Sequence, residues 1–362
     1  MAILFYLISF LFSLGQLGRI SFFNQQVNFY LYEVFLTFFF LILLAKYRLE
    51  PIYEALKKTK SAFLFLTILS ISLLIGFNQY SFFENAVGLL YLVRLLSYGT
   101  YWVYVSYMVK KKPDFKKNLN IGLWIFISMT TVTTITQYFF YPDLRNQFYQ
   151  GWDPHLYRTF GVFFDTTIAG TIFAMIFVFS NNLVVKGIFL IFLVLSFSRS
   201  VYLSLVIVLL YIFFKNRDFK KLFLSLFILL FILFIAPKPA GEGVNLKRTF
   251  SIASRTEDYR EGFNLFLKKP IIGYGYNRLR YVRSRSISHA GASFSSSYLT
   301  ILVSSGIAGL IGLISTMRLI WIRKKNARTL LLFLTTVSLF DNVLLHPFIL
   351  FISGVLLILS DR

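Results

Sequence analysis

The stretch SYLTILVSSGIAGLIGLISTM, residues 297–317, decides the fold class. It contains no charged residue and has the length of roughly 20 apolar residues that an α-helix needs to cross a bilayer. Apolar stretches recur up to Leu359 in a chain of 362 residues that is 57% hydrophobic and 19% aromatic, with a mean hydropathy of +0.69. A soluble domain of this length carries far less apolar surface. The sequence therefore predicts an integral membrane protein.

We expect an all-α bundle of about twelve spans that forms a single membrane domain over residues 1–362. The first segment, AILFYLISFLFSLG, lacks a basic start and a cleavage site, and we expect it to be a retained helix. Two neighbouring spans are short, and the last two are separated only by the region of His346-Pro347, so eleven spans or re-entrant segments are the alternative. The predicted spans are 2–15, 29–45, 61–77, 86–108, 119–140, 161–180, 183–197, 201–214, 219–236, 297–317, 329–345 and 347–360.

Charge distribution predicts the topology. The net charge is +22, but the basic residues are spread between apolar spans, so a nucleic-acid partner is not expected. Loops such as KKKPDFKK, with five Lys, belong on the cytoplasmic side under the positive-inside rule. Both termini are then cytoplasmic. The absence of cysteine excludes disulfides, thiolate metal sites and cysteine nucleophiles.

One long loop, residues 237–296, is predicted on the outer side and to cap a site there. It holds eleven Lys or Arg against four Asp or Glu, and long loops cross the membrane largely regardless of charge. Within it, SRTEDYREGFNLFLKKP predicts an amphipathic helix on the membrane surface. Ser254 is the expected cap, Glu257 stands in capping-box position, and Pro270 ends the helix.

Three arginines are candidates for binding phosphate. Arg199 lies beside Ser198 in the serine-rich turn SFSRS, where a fixed guanidinium suits bidentate contact with a phosphate. Arg255 begins the predicted helix, where a cation opposes the helix dipole. Arg158 precedes the next apolar span. For each of them, an arginine that is solvated or reaches the headgroups remains the alternative.

The acid–base candidates at the spans are few. Asp165 and Asp341 fall at or within predicted spans, where an ionisable group usually faces a cavity or a partner. Asn342 and His346 extend the cluster around Asp341. A structural ion pair is the alternative for each aspartate, and Arg94, deep in a span, is a conceivable partner.

The outer loop carries two further features. His289, in SISHAGASF, is either a general base or an uninvolved loop residue. The segment PIIGYG, with Gly273 and Gly275, either brings backbone amides near an anion or forms a tight turn, and it lacks the context of a phosphate-binding loop. The basic run RLRYVRSRS, residues 278–286, fits attraction to anionic headgroups or to a polyanionic lipid substrate.

Taken in order, these stretches resemble the O-antigen ligase and polymerase family over roughly residues 155–360. Each motif alone is weak, and their order and shared sidedness carry the resemblance. The matching features are Arg158 with Gly161, SFSRS with Arg199, the arginine-led helix ending in Pro-x-x-Gly-x-Gly, Gly306 with Gly309, and the late asparagine in SLFDNVLLHP.

The resemblance implies a twelve-span bundle of the GT-C type and metal-independent transfer of a glycan from undecaprenyl diphosphate, with no cofactor. It also implies that Arg199 and Arg255 bind the diphosphate. Ligases of this family place a His-Asn-like pair directly before the Ser-Tyr-Leu that starts the next span. Here Ser295 and Ser296 stand at those positions, and His289 lies six residues upstream, so Asp165 and His289 are both candidates for the base.

We therefore expect a polymerase that joins lipid-linked repeat units of a surface polysaccharide at the outer face of the bacterial cytoplasmic membrane. Its expected partners are the undecaprenyl-diphosphate-linked glycan, membrane lipid and other membrane proteins of polysaccharide assembly. A ligase that transfers the glycan to another acceptor is the first alternative. A transporter or flippase is an alternative of another class, because basic residues facing a cavity can also bind a lipid diphosphate for movement.

Overall fold

The computed structural model describes residues 1–142, 155–238, 242–247, 249–283 and 289–360. The described chain is all-helical apart from a short antiparallel hairpin, in which Arg19 pairs with Tyr30. The hairpin strands are β1 (Arg19–Phe22) and β2 (Val27–Tyr30). The helices are α1 (Ala2–Phe12), α2 (Leu31–Tyr47), α3 (Glu50–Lys58), α4 (Lys60–Ile75), α5 (Phe82–Lys111), α6 (Phe115–Phe140), α7 (Thr166–Phe179), α8 (Leu183–Leu195), α9 (Arg199–Asn216), α10 (Phe219–Ile235), α11 (Phe250–Lys268), α12 (Leu279–Val282), α13 (Ser297–Arg323), α14 (Arg328–Phe340) and α15 (Pro347–Leu359).

Four of the described helices, α5, α6, α9 and α13, are long and apolar enough to cross a membrane. The pair α3 and α4 adds a fifth candidate if the two helices, which meet at 101°, form one broken span. Other apolar helices, among them α1, α7, α8 and α15, are shorter than 18 residues. These helices support the interpretation as a membrane protein, and the count of twelve spans stays a prediction.

An aromatic core joins the N-terminal helices to the last helix. The ring of Phe12 on α1 lies 4.3 Å from that of Phe351 on α15 and 4.9 Å from that of Phe126 on α6. Phe12 is fully buried, as are Phe39 on α2 and Tyr101 on α5. The two ends of the chain therefore pack into one helical body.

Helix α13 is broken at Gly306, and the segment PIIGYG fills the break. Gly306 has φ +66°, and a Cβ atom there would lie 2.1 Å from the carbonyl oxygen of Ile271. The amide of Gly275 donates to the carbonyl of Ser304 at 2.8 Å, and the amide of Ile307 donates to the carbonyl of Pro270 at 2.8 Å. Because the inserted segment pairs these backbone groups, the break needs no water inside the bundle.

Several predicted boundaries are wrong. Helix α11 begins at Phe250 after Thr249, so Ser254 is not its cap. Helix α7 begins at Thr166, five residues after the predicted start of that span, because Asp165 caps it. Helix α14 ends at Phe340, which leaves Asp341 in the connection to α15 and outside both helices.

Candidate active site

A polar cavity of about 380 Å³ lies where several helix ends meet. The N-terminal ends of α7, α13 and α15 and the C-terminal end of α14 border it, together with α5 and the loop around α12. Asp165, Asp341 and Asn342, which the sequence predicted as site residues, all line this cavity. A second, larger cavity of about 830 Å³ extends toward the opposite ends of α5 and α15 and has a mainly apolar lining. The polar cavity is therefore the candidate active site.

Arg255 and Asp341 form an ion pair at this cavity. Nη2 of Arg255 lies 2.9 Å from Oδ1 of Asp341, and their side chains are 29% and 17% exposed. The guanidinium of Arg199 is close enough to Arg255 to feel its charge, and it donates to the carbonyl of Leu246 at 3.2 Å. The structure thus brings Arg199 and Arg255 together, although 56 positions separate them in the sequence.

The environment of Asp341 makes its carboxyl group an unusually weak acid. Burial raises the pKa of Asp341 to about 6, and the opposing attraction of Arg255 is the smaller effect. Its Oδ2 atom is buried and makes no hydrogen bond in the described part of the chain. A partly protonated carboxyl group with one unused oxygen can exchange a proton near neutral pH.

Arg158 has different surroundings. It is 3% exposed, and its Nε and Nη2 atoms donate to the carbonyls of Ser196 and Phe197 at 2.8 and 3.3 Å. Gln137 holds the same loop by accepting from the amides of Phe160 and Gly161, both at 3.0 Å. These contacts give Arg158 a role in joining the loop before α7 to the turn before α9.

Asp165 caps α7. Its Oδ1 atom accepts from the amides of Thr167 and Ile168 at 2.7 and 2.8 Å, while its Oδ2 atom makes no hydrogen bond in the described residues. Ser198, which precedes α9, lies 3.4 Å from the hydroxyl of Thr167 and 3.3 Å from that of Ser200. The beginnings of α7 and α9 therefore meet beside the cavity.

His289 begins a short 3-10 helix, His289–Ala292, and its side chain lies outside the described part of the structure. Ser295 donates from its amide and its hydroxyl to Oδ2 of Asp258, at 3.1 and 2.6 Å. The other oxygen of Asp258 pairs with Arg283 at 2.7 Å. Ser296 caps α13 and donates to the carbonyl of Ser338 at 3.1 Å. The two serines at the ligase His-Asn positions thus tie the loop to α11 and α14.

The predicted residues Gly273 and Gly275 pack against the backbone of α13. Gly273 has φ +73°, and a Cβ atom there would meet the backbone of Ser304 at 2.5 Å. The amide of Gly275 is already bonded to that same backbone, so it is used within the protein. The glycines therefore allow the segment to enter the break in α13.

Arg94 does not pair with Asp165 or Asp341. Its Nε atom lies 2.7 Å from Oε1 of Glu33, which also accepts from the hydroxyl of Tyr98 at 2.8 Å. Sequence reasoning missed this pair because Glu33 and Arg94 belong to helices that are distant in the chain. The sequence also predicted no individual role for Asn277 or Arg280, which line the cavity. The basic run that contains Arg280 was the signal that could have indicated it.

Comparison with known families supports the resemblance. Residues 184–314 match the family model described as O-antigen ligase. The match includes Arg199, Arg255, Gly273, Gly275 and His289, and it does not reach Arg158, Asp165 or Asp341. No curated protein matches the chain. The resemblance to the O-antigen ligase and polymerase family is thus confirmed over the central part of the sequence.

Proposed function

We propose that this protein is a membrane glycosyltransferase that polymerises undecaprenyl-diphosphate-linked repeat units of a surface polysaccharide at the outer face of the cytoplasmic membrane. The family match supports O-antigen ligase-type or polymerase-type chemistry in general. The observation that carries the proposal is the convergence of Arg199 and Arg255 beside a polar cavity that Asp165 and Asp341 line.

The arginines act on the leaving group. As the bond between the anomeric carbon and the diphosphate oxygen breaks, negative charge develops on undecaprenyl diphosphate. Guanidinium groups of Arg199 and Arg255 that are already in place stabilise this charge as it develops. Asp341 orients Arg255, so the guanidinium group is held in position before the substrate arrives.

A carboxylate serves as the base in this proposal. The acceptor hydroxyl attacks the anomeric carbon and must lose its proton, and Asp165 is our candidate to accept it. The unused Oδ2 atom of Asp165 at the cavity supports this role. His289 remains the alternative base. Asp165→Asn is expected to abolish most transfer while keeping the helix cap, and full transfer in Asp165→Asn with loss in His289→Ala would assign the base to His289.

The polymerase is distinguished from the ligase by the acceptor. A polymerase transfers the growing glycan to another lipid-linked unit, and a ligase transfers it to a different acceptor. The serine pair Ser295-Ser296, at the positions where ligases carry a His-Asn-like pair, favours the polymerase. Restoration of a ligase-null strain by this gene would favour the ligase instead.

Deletion of the gene tests the proposed function in the cell. We expect the long chains of the surface glycan to disappear while single repeat units persist. The wild-type gene restores the chain-length distribution, and the Arg199→Ala gene does not, at equal protein level. An unchanged chain-length distribution in the deletion strain contradicts the proposal, and accumulation of lipid-linked units on the inner leaflet would identify a flippase.

A further inference from the structure

Three side chains of the polar cavity present hydrogen-bond donors that meet no acceptor among the described residues. They are Nδ2 of Asn277, Nε of Arg280 and Nη2 of Arg94, all buried and without a hydrogen bond in the part of the chain that the structure describes. All three residues line the same cavity. Buried polar groups are nearly always bonded in proteins, so an unsatisfied cluster of donors in a cavity indicates a ligand with acceptors.

The protein holds these donors in fixed positions. Arg280 on α12 is 2% exposed, and its Nη1 atom donates to the carbonyl of Gln26 at 3.2 Å. Its guanidinium lies 5.8 Å from the ring centroid of Tyr91, and that of Arg94 lies 5.7 Å from the same ring. Two guanidinium groups therefore converge on one tyrosine, and a ligand between them would not need to reorganise them.

The charge around the cavity is unbalanced at Arg280. Of the carboxylates that line the cavity, Asp258 pairs with Arg283 and Asp341 pairs with Arg255, while Asp165 caps α7 through its Oδ1 atom. Arg94 pairs with Glu33. Among the described residues, no carboxylate lies within salt-bridge distance of Arg280. A buried charge without a counterion is unfavourable, and an anionic ligand would supply the missing partner.

We propose that Arg280, Asn277 and Arg94 form an oxyanion-binding subsite for the glycan, which takes a carboxylate or a phosphate substituent on a sugar. The assignment to a glycan rests on the proposed function, whereas the binding of an oxyanion does not. The subsite uses other residues than the diphosphate site, because Arg199 and Arg255 lie beside this cavity and do not line it. The enzyme would therefore select acidic repeat units over neutral ones.

Binding of simple oxyanions to the detergent-purified full-length protein tests the proposal. The probes are sodium glucuronate and inorganic phosphate, with glucose and sodium chloride as the neutral and ionic controls, and the readout is the thermal unfolding midpoint against probe concentration. We expect a saturable rise with glucuronate or phosphate and none with the controls. The phosphate series uses the Arg255→Ala background, so that the diphosphate site does not contribute. A response to glucuronate alone assigns a sugar carboxylate, and a response to phosphate assigns a phosphate substituent.

Arg280→Gln is expected to raise the probe concentration that gives half of the maximal midpoint shift at least about tenfold, because the charged donors of the guanidinium are lost. Arg260→Gln, on the exposed face of α11, is the matched control and keeps the wild-type response. If Arg280→Gln does not fold, Asn277→Asp places a carboxylate among the donors with little change of shape, and the same loss is expected. A wild-type protein that responds to neither probe, or an equal response in Arg280→Gln or its folded substitute, overturns the subsite.

The test separates this subsite from the proposed function. Arg199→Ala is expected to keep the glucuronate response and lose glycan transfer. A protein that binds the oxyanion through Arg280 and transfers no glycan would contradict the proposed function and leave the subsite standing. A protein that transfers acidic and neutral glycans equally, with no oxyanion response, would contradict the subsite and leave the proposed function standing.

Discussion

The sequence predicts the same kind of role for Arg158 and Arg255, yet the two side chains have different surroundings in the structure. Both were candidates for binding the diphosphate. Arg158 is almost completely buried and donates to two backbone carbonyls, whereas Arg255 is partly exposed beside the cavity and pairs with the carboxylate of Asp341. The two carbonyls fix the guanidinium of Arg158 inside the loop, whereas part of the Arg255 side chain stays accessible to a substrate. The partner therefore distinguishes a structural arginine from a candidate catalytic one.

The largest effect is expected from Arg255→Ala. Removing one charged donor from a preorganised anion site lowers turnover about 10²- to 10³-fold. The rate of undecaprenyl diphosphate release per folded molecule measures it. Arg260→Ala, an exposed arginine on the same helix, should keep the wild-type rate. Equal rates in Arg255→Ala and wild type would remove Arg255 from the site.

Arg158→Met is expected to act on stability. It leaves the buried carbonyls of Ser196 and Phe197 without these donors, which should lower the free energy of unfolding by about 3 to 4 kcal/mol. Thermal unfolding in detergent measures the loss, with Arg260→Met as the control for removing an exposed arginine. The folded fraction should keep its release rate. A folded but inactive Arg158→Met protein would place Arg158 with Arg255 instead.

Asp341 should make stability depend on pH. Its folded-state pKa of about 6 exceeds the ordinary value of 3.8, so the folded protein takes up the proton first as the pH falls. Stability should therefore rise as the pH is lowered from about 6 toward 4, by at most about 3 kcal/mol. Unfolding midpoints over this range in wild type and Asp341→Asn measure the effect. The pH dependence should be smaller in Asp341→Asn, and an identical profile would show that Asp341 does not titrate there.

The smallest effect is expected from the cap of α7. Asp165→Ala removes the acceptor of two amides and should cost about 1 kcal/mol of stability. Asp165→Asn keeps an acceptor and should be nearly as stable as wild type, as Asn182 already caps α8 through its Oδ1 atom. The unfolding midpoints of both variants measure the difference. Equal losses would mean that the charge of Asp165, and not its cap, supports the fold.

The sequence predicted those features of the fold that depend on local apolar segments. The helical membrane class and the presence of a helix around residues 255–268 were visible in composition and periodicity. The start of that helix was not, because Ser254 and Glu257 form a convincing capping pattern by themselves. Contacts with other parts of the fold accompany an earlier start of the helix: Arg255 pairs with Asp341, and the hydroxyl of Tyr259 donates to the carbonyl of Leu339. Arg255 and Tyr259 therefore lie inside the helix, which begins at Phe250.

The candidate site was predicted only in part, for the same physical reason. Arg199, Arg255, Asp165 and Asp341 were named from short motifs, and the structure places them near one another. The pairing of Arg94 with Glu33 and the position of Arg280 at the cavity depend on which helices become neighbours. The spacing of residues along the chain does not show which helices become neighbours when the partners are separated by tens of residues.

The most direct test of the central claim uses purified wild-type protein and a lipid-linked repeat unit in detergent. The measurement follows the release of undecaprenyl diphosphate together with the length of the glycan on the remaining lipid. We predict that release is matched by longer lipid-linked glycan, and that Arg199→Ala and Arg255→Ala lose both while Arg260→Ala keeps both. Substrate that stays intact with folded wild-type protein, or release that is unchanged in both arginine variants, would contradict the account.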